Sequence, residues 1–167
     1  MDQLAITSAN RDAYRQHISA VFSDFHLFGN LSGSHARFNV DAARGYLQLL
    51  GLTDAVCLAD DGKLSTTTAL STGQRKRLAL LSAYLDDRDI MIFDEWAADQ
   101  DPEFRRIFYE RLLPDLHSRG KTLIVITHDD RYFHCGQRLV KISDGRLTIT
   151  RQSENRKAAR SAPAIAI

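Results

Sequence analysis

The chain contains few of the residues that mark specialised protein classes: its 167 residues include two cysteines, three prolines and one tryptophan. Cys57 and Cys135 form no C-x-x-C pair, which excludes a disulfide scaffold and a cysteine-based metal site and suits a reducing compartment. We expect both to be buried small hydrophobic residues. Positive and negative charges nearly cancel, at 22 Lys and Arg against 21 Asp and Glu. The protein therefore lacks a strong overall field for an anionic membrane, and no nucleic-acid partner is expected.

Long hydrophobic runs are also missing from the sequence. No uninterrupted apolar run approaches the roughly 18 to 20 residues that span a bilayer, and the first residues lack the basic and then apolar pattern of a signal peptide. Any membrane association is therefore expected to depend on another domain or chain. Hydrophobic residues make up 44% of the chain, as in ordinary globular domains.

The periodicity of the apolar residues predicts an α/β fold. Strands are predicted at residues 18–22, 90–93 and 123–126, and helices at residues 40–50, 72–85 and 101–120. The order strand, helix, strand from residue 90 onward predicts a right-handed βαβ unit with a parallel sheet. Two further strands, 139–142 and 147–149, flank a turn that contains glycine and predict a C-terminal β-hairpin.

The helix that starts at residue 72 begins like an anion-binding helix N-terminus. Ser71 is a favourable N-cap, and leucines recur on one face of the helix at i, i+3 and i+7. Gly73 leaves its backbone N–H unshielded at the positive end of the helix dipole, beside the amide of Gln74. The same residues also fit an ordinary capped helix without a ligand.

Polar residues follow the two neighbouring buried strands. Asp94 and Glu95 end the first strand and His128 follows the second, so all three are expected at the ligand-binding edge of the sheet. Two adjacent acids point to opposite sides, so one can hold a hydrated Mg²⁺ while the other faces a water. Each feature also has a plainer explanation, because acids often end strands and a single histidine is usually structural. Asp101 either caps the next helix or contacts a neighbouring subunit.

In their order, these residues closely resemble the C-terminal part of an ATP-binding-cassette (ABC) ATPase domain, over about residues 14–150. Residues 70–74, L-S-T-G-Q, resemble the signature motif L-S-G-G-Q, with Thr72 replacing one glycine. Residues 90–95 resemble the Walker B strand, Asp101 falls at the D-loop aspartate and His128 at the switch histidine. Residues 18–28 and 94–102 further resemble the exporters of cyclic peptides and siderophores, which fuse a membrane domain to this ATPase. Four ordered motifs make the resemblance very specific.

The resemblance implies an ATPase of the P-loop NTPase fold that uses ATP and Mg²⁺. It makes Asp94 the magnesium aspartate, Glu95 the catalytic glutamate that polarises water, and His128 the residue that fixes the γ-phosphate. Four signature residues would complete the ATP site of a second ABC ATPase domain: Ser71, Thr72, Gly73 and Gln74. The other expected partner is a transmembrane permease domain. It would hold the ATPase at the cytoplasmic side of the inner membrane, whereas a chain acting alone would be cytoplasmic.

Two departures from the family pattern matter. Ser23 occupies the Q-loop position, where most members have glutamine. No G-x-x-x-x-G-K-[ST] phosphate-binding loop occurs in the chain, and residues 120–122, G-K-T, follow a helix and precede a strand, the reverse of the P-loop order. We therefore expect a truncated ATPase domain that binds nucleotide very weakly by itself.

The resemblance also predicts where the P-loop strand is missing. In the family that strand pairs beside residues 123–126, so its absence leaves an apolar edge with unpaired backbone groups. We expect the isolated chain to be unstable or to dock onto a chain that supplies the missing half.

The chain is expected to consist of four segments, of which the resemblance assigns the first three and the composition assigns the tail. They are a Q-loop strand region (1–25), a helical subdomain ending in the signature motif (26–80), a catalytic core with Walker B, D-loop and switch histidine (81–150), and a tail expected to be disordered (151–167). A non-catalytic ABC-fold subunit that presents its signature helix to a partner cassette remains an alternative. So does the head of a DNA-repair or chromosome-maintenance ATPase, although no heptad coiled coil precedes Leu70.

Three further sequence patterns are less specific. The basic residues 75–77 predict a solvated face rather than a nucleic-acid site, because no aromatic residue interleaves with them. Phe22, Phe25 and Phe28 fit either core packing or, through the resemblance, contact with a transmembrane coupling helix. A metal hydrolase is a further alternative, and its ligands would be His128, Asp129, Asp130 and His134.

Overall fold

The computed structural model describes residues 5–22, 24–32 and 38–151. The helices are α1 (Arg11–Arg15), α2 (Val40–Leu49), α3 (Thr72–Asp86), α4 (Pro102–Ile107) and α5 (Leu113–Ser118). The strands are β1 (Ile18–Val21), β2 (Ile90–Asp94), β3 (Thr122–Ile126), β4 (Arg138–Ser143) and β5 (Arg146–Arg151). Short 3₁₀ helices cover Trp96–Asp99 and Asp130–Cys135, and a π-helical turn covers Phe108–Leu112. The predicted α/β fold is confirmed, and each predicted helix and strand is present.

The predicted parallel sheet has the strand order β1-β2-β3. Ile90 pairs with Ile18 on one side and Thr122 on the other, and Asp94 lies opposite Ile126. The carboxyl ends of β2 and β3 therefore finish at the same edge of the sheet. Within the described residues, β3 pairs only with β2, so its far edge carries no further strand.

Helix α3 anchors the hydrophobic core. It begins with a capping box, in which the Ser71 hydroxyl accepts the Gln74 N–H and the Gln74 side chain accepts the Ser71 N–H. The helix packs on β1, α2 and the turn after β2. Phe93, Trp96 and Phe108 are at most 2% exposed and form a buried aromatic cluster. The rings of Phe93 and Phe108 meet edge to face, with 5.5 Å between their centres. Burying such side chains contributes about 1.5 to 3 kcal/mol each.

The helix predicted for residues 101–120 contains a widened turn. Asp101 caps it by accepting the Phe104 N–H at 2.8 Å. Leu113 donates its N–H to the carbonyl of Phe108, five residues earlier. Pro114 follows directly and has no N–H to donate, and the π turn carries the chain past it.

The C-terminal hairpin exposes one apolar face. Asp144 and Gly145 both have positive φ, 50° and 72°, which is the backbone of a tight two-residue hairpin turn. Strand pairing brings four apolar residues, exposed by 50–72%, onto one face, which we call the apolar hairpin face: Val140, Ile142, Leu147 and Ile149. On β3, Ile124 and Ile126 are also about half exposed.

One sequence expectation about side-chain environment needs correction. Cys57 is exposed and Cys135 is half-buried, so the expectation of two buried cysteines was wrong. Cys57 lies on a surface loop whose backbone N–H groups bond to a neighbouring segment. Among the three phenylalanines, Phe22 and Phe28 are more than half exposed, whereas Phe25 packs against the core. Within the described ranges, the helices are too short and too polar to cross a bilayer.

Candidate functional site

Glu95 and His128 meet where β2 and β3 end. The Glu95 Oε1 atom lies 3.0 Å from the His128 Nδ1 atom. The histidine side chain is 83% exposed and the glutamate side chain 34%, so the pair faces solvent. A carboxylate in this position can accept a proton from a water, and the adjacent imidazole can donate a hydrogen bond to an anion.

The backbone of Glu95 has an unusual conformation. Its φ and ψ of 49° and 29° place it in the left-handed region, which non-glycine residues seldom adopt. Its N–H donates to the carbonyl of Ile126 at 3.0 Å, so β3 holds the residue from one side. Its own carbonyl accepts the N–H of Ala98 at 3.2 Å. This turn directs the carboxylate of Glu95 to His128 instead of continuing the strand.

Asp94 is the last residue of β2 and is partly exposed. Within the described part of the chain, its carboxylate forms no hydrogen bond or ion pair. A free, partly exposed carboxylate is the hard oxygen ligand that Mg²⁺ uses, usually through one or two carboxylates and several waters. The residue therefore fits a hydrated magnesium ion.

The residues at the start of α3 contact the loop after β2. The Gly73 carbonyl accepts a hydrogen bond from the Gln100 amide at 3.2 Å. A Cβ atom on Gly73 would lie 3.0 Å from the carbonyl oxygen of Asp99. The close approach of this backbone favours glycine here, because a Cβ atom would have to push the Asp99 carbonyl away by a few tenths of an ångström. The sequence alone did not reveal this reason.

Arg77 ties α3 to the start of α4. Its guanidinium donates to the Gln100 side chain at 2.9 Å, pairs with Asp101 and lies 3.7 Å from the centre of the Phe104 ring. The pKa of Asp101 lies below its usual range, chiefly because the carboxylate accepts the Phe104 N–H, with Arg77 adding to the effect. Asp101 therefore caps its own helix, as one of the two interpretations of the sequence predicts.

Arg105 holds the same loop from the other side. Its guanidinium donates to the carbonyls of Ala97, Ala98 and Gln100 at 3.1–3.2 Å. It also lies 3.4 Å from the carboxylate of Asp129. Arg131 donates two hydrogen bonds to that carboxylate and is the main reason why the pKa of Asp129 falls to about 2. Glu95 and His128 share with these groups a cleft of about 320 Å³.

The basic residues 75–77 do not form the solvated face that the sequence predicts. Lys76 is 2% exposed, and its ammonium lies 2.8 Å from Asp99 and 2.9 Å from the carbonyl of Glu95. Arg77 is also largely covered, at 15% side-chain exposure. Arg75 alone among the three is exposed. Lys76 and Arg77 are covered because they contact the loop after β2, so the expectation that these charges face water was wrong for both.

The metal-hydrolase alternative is also wrong for the described residues. No group of three or more His, Cys, Asp or Glu side chains in the described ranges lies close enough to hold a metal ion. Asp129 is occupied by arginines, and His134 lies beside Cys135.

Of the remaining predicted features, residues 120–122 can be located. Lys121 pairs with Asp87 at 2.7 Å and precedes β3, so residues 120–122 lie at the opposite end of β3 from the Glu95–His128 pair. Their rejection as a phosphate loop therefore agrees with their location. Ser23 and residues 152–167 lie outside the described residues, so the Q-loop position and most of the tail stay predictions.

Several residues that shape this region belong to no motif with a chemical signature and were not predicted to do so. Lys76 and Arg105 contact the loop between Glu95 and Asp101, and Gln100 lies in that loop. Gln100 is 4% exposed, but this burial is seen only in the structure, because a glutamine before a helix cap is ordinarily exposed. Their partners are backbone carbonyls and side chains distant in sequence, which no local pattern encodes.

Comparison with known proteins agrees with this geometry. The family model described as ABC transporter matches residues 1–98. The ATP-binding protein SyrD of Pseudomonas syringae pv. syringae is 56% identical over 147 residues, which cover 87% of this chain and 26% of SyrD. The macrolide export ATP-binding/permease protein MacB of Rhodopseudomonas palustris is 30% identical over 166 residues, covering 91% of this chain and 24% of MacB. The chain thus spans about a quarter of the length of these relatives.

A solved structure shares the fold. A dimeric, post-hydrolysis structure of the ATP-binding cassette MJ0796, bound to ADP and Pi, has a TM-score of 0.67 at 20% identity. The match covers 90% of this chain and 71% of that one. Together with the family model, these similarities show that the chain belongs to the ABC transporter family and has the fold of its ATP-binding domain.

Proposed function

We propose that the chain provides the hydrolytic and signature residues of an ABC-type ATPase that powers an exporter. The observation that carries the proposal is the 3.0 Å contact between Glu95 and His128 at the edge where β2 and β3 end. Glu95 is the general base that polarises the attacking water, and His128 donates a hydrogen bond to the γ-phosphate. Hydrolysis then yields ADP and phosphate.

Asp94 is the magnesium ligand in this proposal, acting through water. The free, partly exposed carboxylate at the end of β2 supports this role. A bound Mg²⁺ supplies charge neutralisation on the phosphates. Glu95 contacts His128, whereas the Asp94 carboxylate has no partner among the described residues, so Asp94 can bind the ion while Glu95 remains beside His128.

The start of α3 binds the ATP held by a second ABC ATPase domain. Four residues make up this surface: Ser71, Thr72, Gly73 and Gln74. The N-terminus of a helix of 15 residues offers backbone N–H groups to phosphate oxygens. Asp101, at the D-loop position, is connected to this helix by its ion pair with Arg77 of α3. The dimeric state of the related cassette supports a dimer as the working form.

A P-loop strand pairs with the free edge of β3. This strand should be an extended apolar segment. Within the described ranges the outer edge of β3 has no strand paired to its backbone groups, and the half-exposed side chains of Ile124 and Ile126 lie on the same strand. The apolar hairpin face offers more surface of the same kind. This P-loop half comes either from a preceding segment of a longer chain or from a separate chain.

The proposed exporter carries a cyclic peptide or a siderophore-like compound. Support for this cargo comes from residues 18–28 and 94–102, which resemble such exporters. The macrolide export name of one relative supports the export role alone. The permease domain would hold the ATPase at the cytoplasmic side of the inner membrane. The four segments 1–25, 26–80, 81–150 and 151–167 are part of the same proposal.

The test measures binding of a fluorescent ATP analogue and phosphate release with Mg²⁺. The full chain is assayed alone and together with a separately expressed P-loop half of an ABC ATPase domain. We expect turnover only in the mixture, with a loss of about 100-fold or more in Glu95→Gln. Glu103→Gln is the matched control, because this exposed glutamate also loses one charge but lies in the first turn of α4.

Each outcome has a clear meaning. Turnover that survives Glu95→Gln contradicts the assignment of the base. Micromolar binding by the chain alone contradicts the need for another P-loop half. Binding without turnover in the mixture supports the non-catalytic alternative, in which the chain only presents its signature helix.

A further inference from the structure

Lys76 is buried although it carries a positive charge. Only 3% of its side chain is exposed. Removal of an ammonium group from water is unfavourable unless its contacts compensate, and an apolar side chain would fill the same space without that penalty. The contacts of this ammonium therefore need a specific explanation.

Its contacts converge on the segment that follows β2. The Nζ atom donates to the carbonyl oxygen of Glu95 at 2.9 Å and pairs with Asp99 at 2.8 Å. In the opposite direction, the indole N–H of Trp96 donates to the carbonyl of Lys76 at 2.9 Å. The second turn of α3 is thus joined to the residues on both sides of the Glu95 peptide group.

The backbone conformation of Glu95 needs such support. Its left-handed backbone, with φ 49°, is unfavourable for any residue with a Cβ atom. Its N–H is held by Ile126 of β3, and its carbonyl is held by Lys76. With both peptide groups fixed, the side chain is directed to His128.

We propose that Lys76 is a positioning residue that holds Glu95 in its left-handed conformation and thereby keeps the Glu95 carboxylate against His128. Because Lys76 lies on α3, it also links the helix that carries the signature residues to that carboxylate. The catalytic meaning of this link rests on the proposed function. The conformational link itself does not.

The first experiment measures amide hydrogen exchange in the full chain. The Ala98 N–H donates to the Glu95 carbonyl, so it reports whether the turn stays closed. Lys76→Met keeps the aliphatic stem and removes the ammonium. We expect exchange at Ala98 to accelerate about tenfold, with α5 unchanged. Arg75→Met is the matched control, because it removes a positive charge from an exposed neighbour on the same helix and should leave Ala98 unchanged.

A second variant separates conformational support from general stability. Glycine adopts the left-handed region without strain, so Glu95→Gly should make the turn largely independent of Lys76. We expect Lys76→Met to accelerate Ala98 exchange less than about threefold in this background. An equal acceleration in both backgrounds, or none in either, overturns the proposal. If Lys76→Met folds only together with Glu95→Gly the proposal is supported, and if it folds in neither background the proposal is wrong.

The kinetic consequence is tested in the mixture with the P-loop half. Lys76→Met should lower kcat and leave KM for MgATP unchanged, because Lys76 acts on the carboxylate and not on nucleotide binding. A rise in KM with unchanged kcat contradicts the link to Glu95. If the wild-type mixture does not hydrolyse ATP, the proposed function fails, while the exchange experiments still decide the conformational role.

Discussion

Two regions of this molecule differ in how far their apolar side chains are buried and their charged side chains are paired. Around α3, β2 and the loop after β2, large aromatic residues are buried and charged residues such as Lys76 and Arg105 have partners. Along the free edge of β3 and the apolar hairpin face, apolar side chains are about half exposed or more. In the first region most large side chains are covered, and within the described residues the buried Tyr84 hydroxyl of α3 is an exception without a hydrogen-bond partner. The second region has the composition of a surface that is covered by something else.

The two regions should differ most in how much a substitution to alanine lowers the free energy of unfolding. Phe93 is fully buried against Phe108, so Phe93→Ala should lower the free energy of unfolding by about 3 to 5 kcal/mol. Ile142→Ala, at a residue that is 72% exposed, should change it by less than about 0.5 kcal/mol. Urea denaturation of the full chain measures both. Similar losses would show that the hairpin face is packed in solution and would remove the contrast.

A glycine substitution tests the contact between α3 and the loop after β2. Gly73→Ala places a Cβ atom 3.0 Å from the Asp99 carbonyl, and we expect a loss of about 1 to 3 kcal/mol. Gly29→Ala is the control, because no atom lies within 4 Å of the added Cβ. Thermal unfolding of both variants gives the comparison. Equal midpoints would mean that the loop moves aside without penalty.

The pH dependence of stability tests the ion pairs around Asp129. Arg131 and Arg105 lower the pKa of this carboxyl to about 2 from a model-compound value of 3.8. The stabilisation is therefore fully present above pH 4 and is lost as the pH falls towards 2. Asp129→Asn should be less stable than wild type at pH 6 and approach it near pH 2. Stability curves that stay parallel over this range would contradict the pairing.

The smallest effect on stability should come from the apolar hairpin face. Ile149→Thr keeps a β-branched side chain and removes apolar surface, so the free energy of unfolding should change by less than about 0.5 kcal/mol. Aggregation of the full chain, followed by light scattering, should nevertheless slow down. Lys141→Thr, on the other face of the hairpin, is the control. Faster aggregation of Ile149→Thr would show that this face does not mediate contacts between chains.

Much of the fold could be predicted because its signals are local. Runs such as residues 90–93 and 123–126 are continuous and apolar, and Asp101-Pro102 is a strong helix start, so strands, caps and hairpin agree with expectation. The π turn was not foreseen. Pro114 near the end of a predicted helix indicates a disturbance, but the sequence does not say whether the helix stops or widens.

The candidate site was predictable only in part. Asp94, Glu95 and His128 could be placed at one sheet edge because parallel strands end together. The left-handed turn at Glu95 and the burial of Lys76 could not be foreseen, because both depend on contacts between residues about 20 positions apart. A rule that places charged residues in solvent fails where a charge finds partners in the interior.

The three carbonyl contacts of Arg105 have a consequence for association. A loop wrapped around one guanidinium through Ala97, Ala98 and Gln100 is already ordered before anything binds to it. Ordering a flexible segment at the moment of binding would consume about 0.5 to 1.5 kcal/mol for each side chain immobilised. Lysine could not replace this arginine, because a single ammonium lacks the planar set of donors that reaches several carbonyls at once. The loop after β2 is thus preorganised, so little conformational entropy is lost from this loop when another surface binds it.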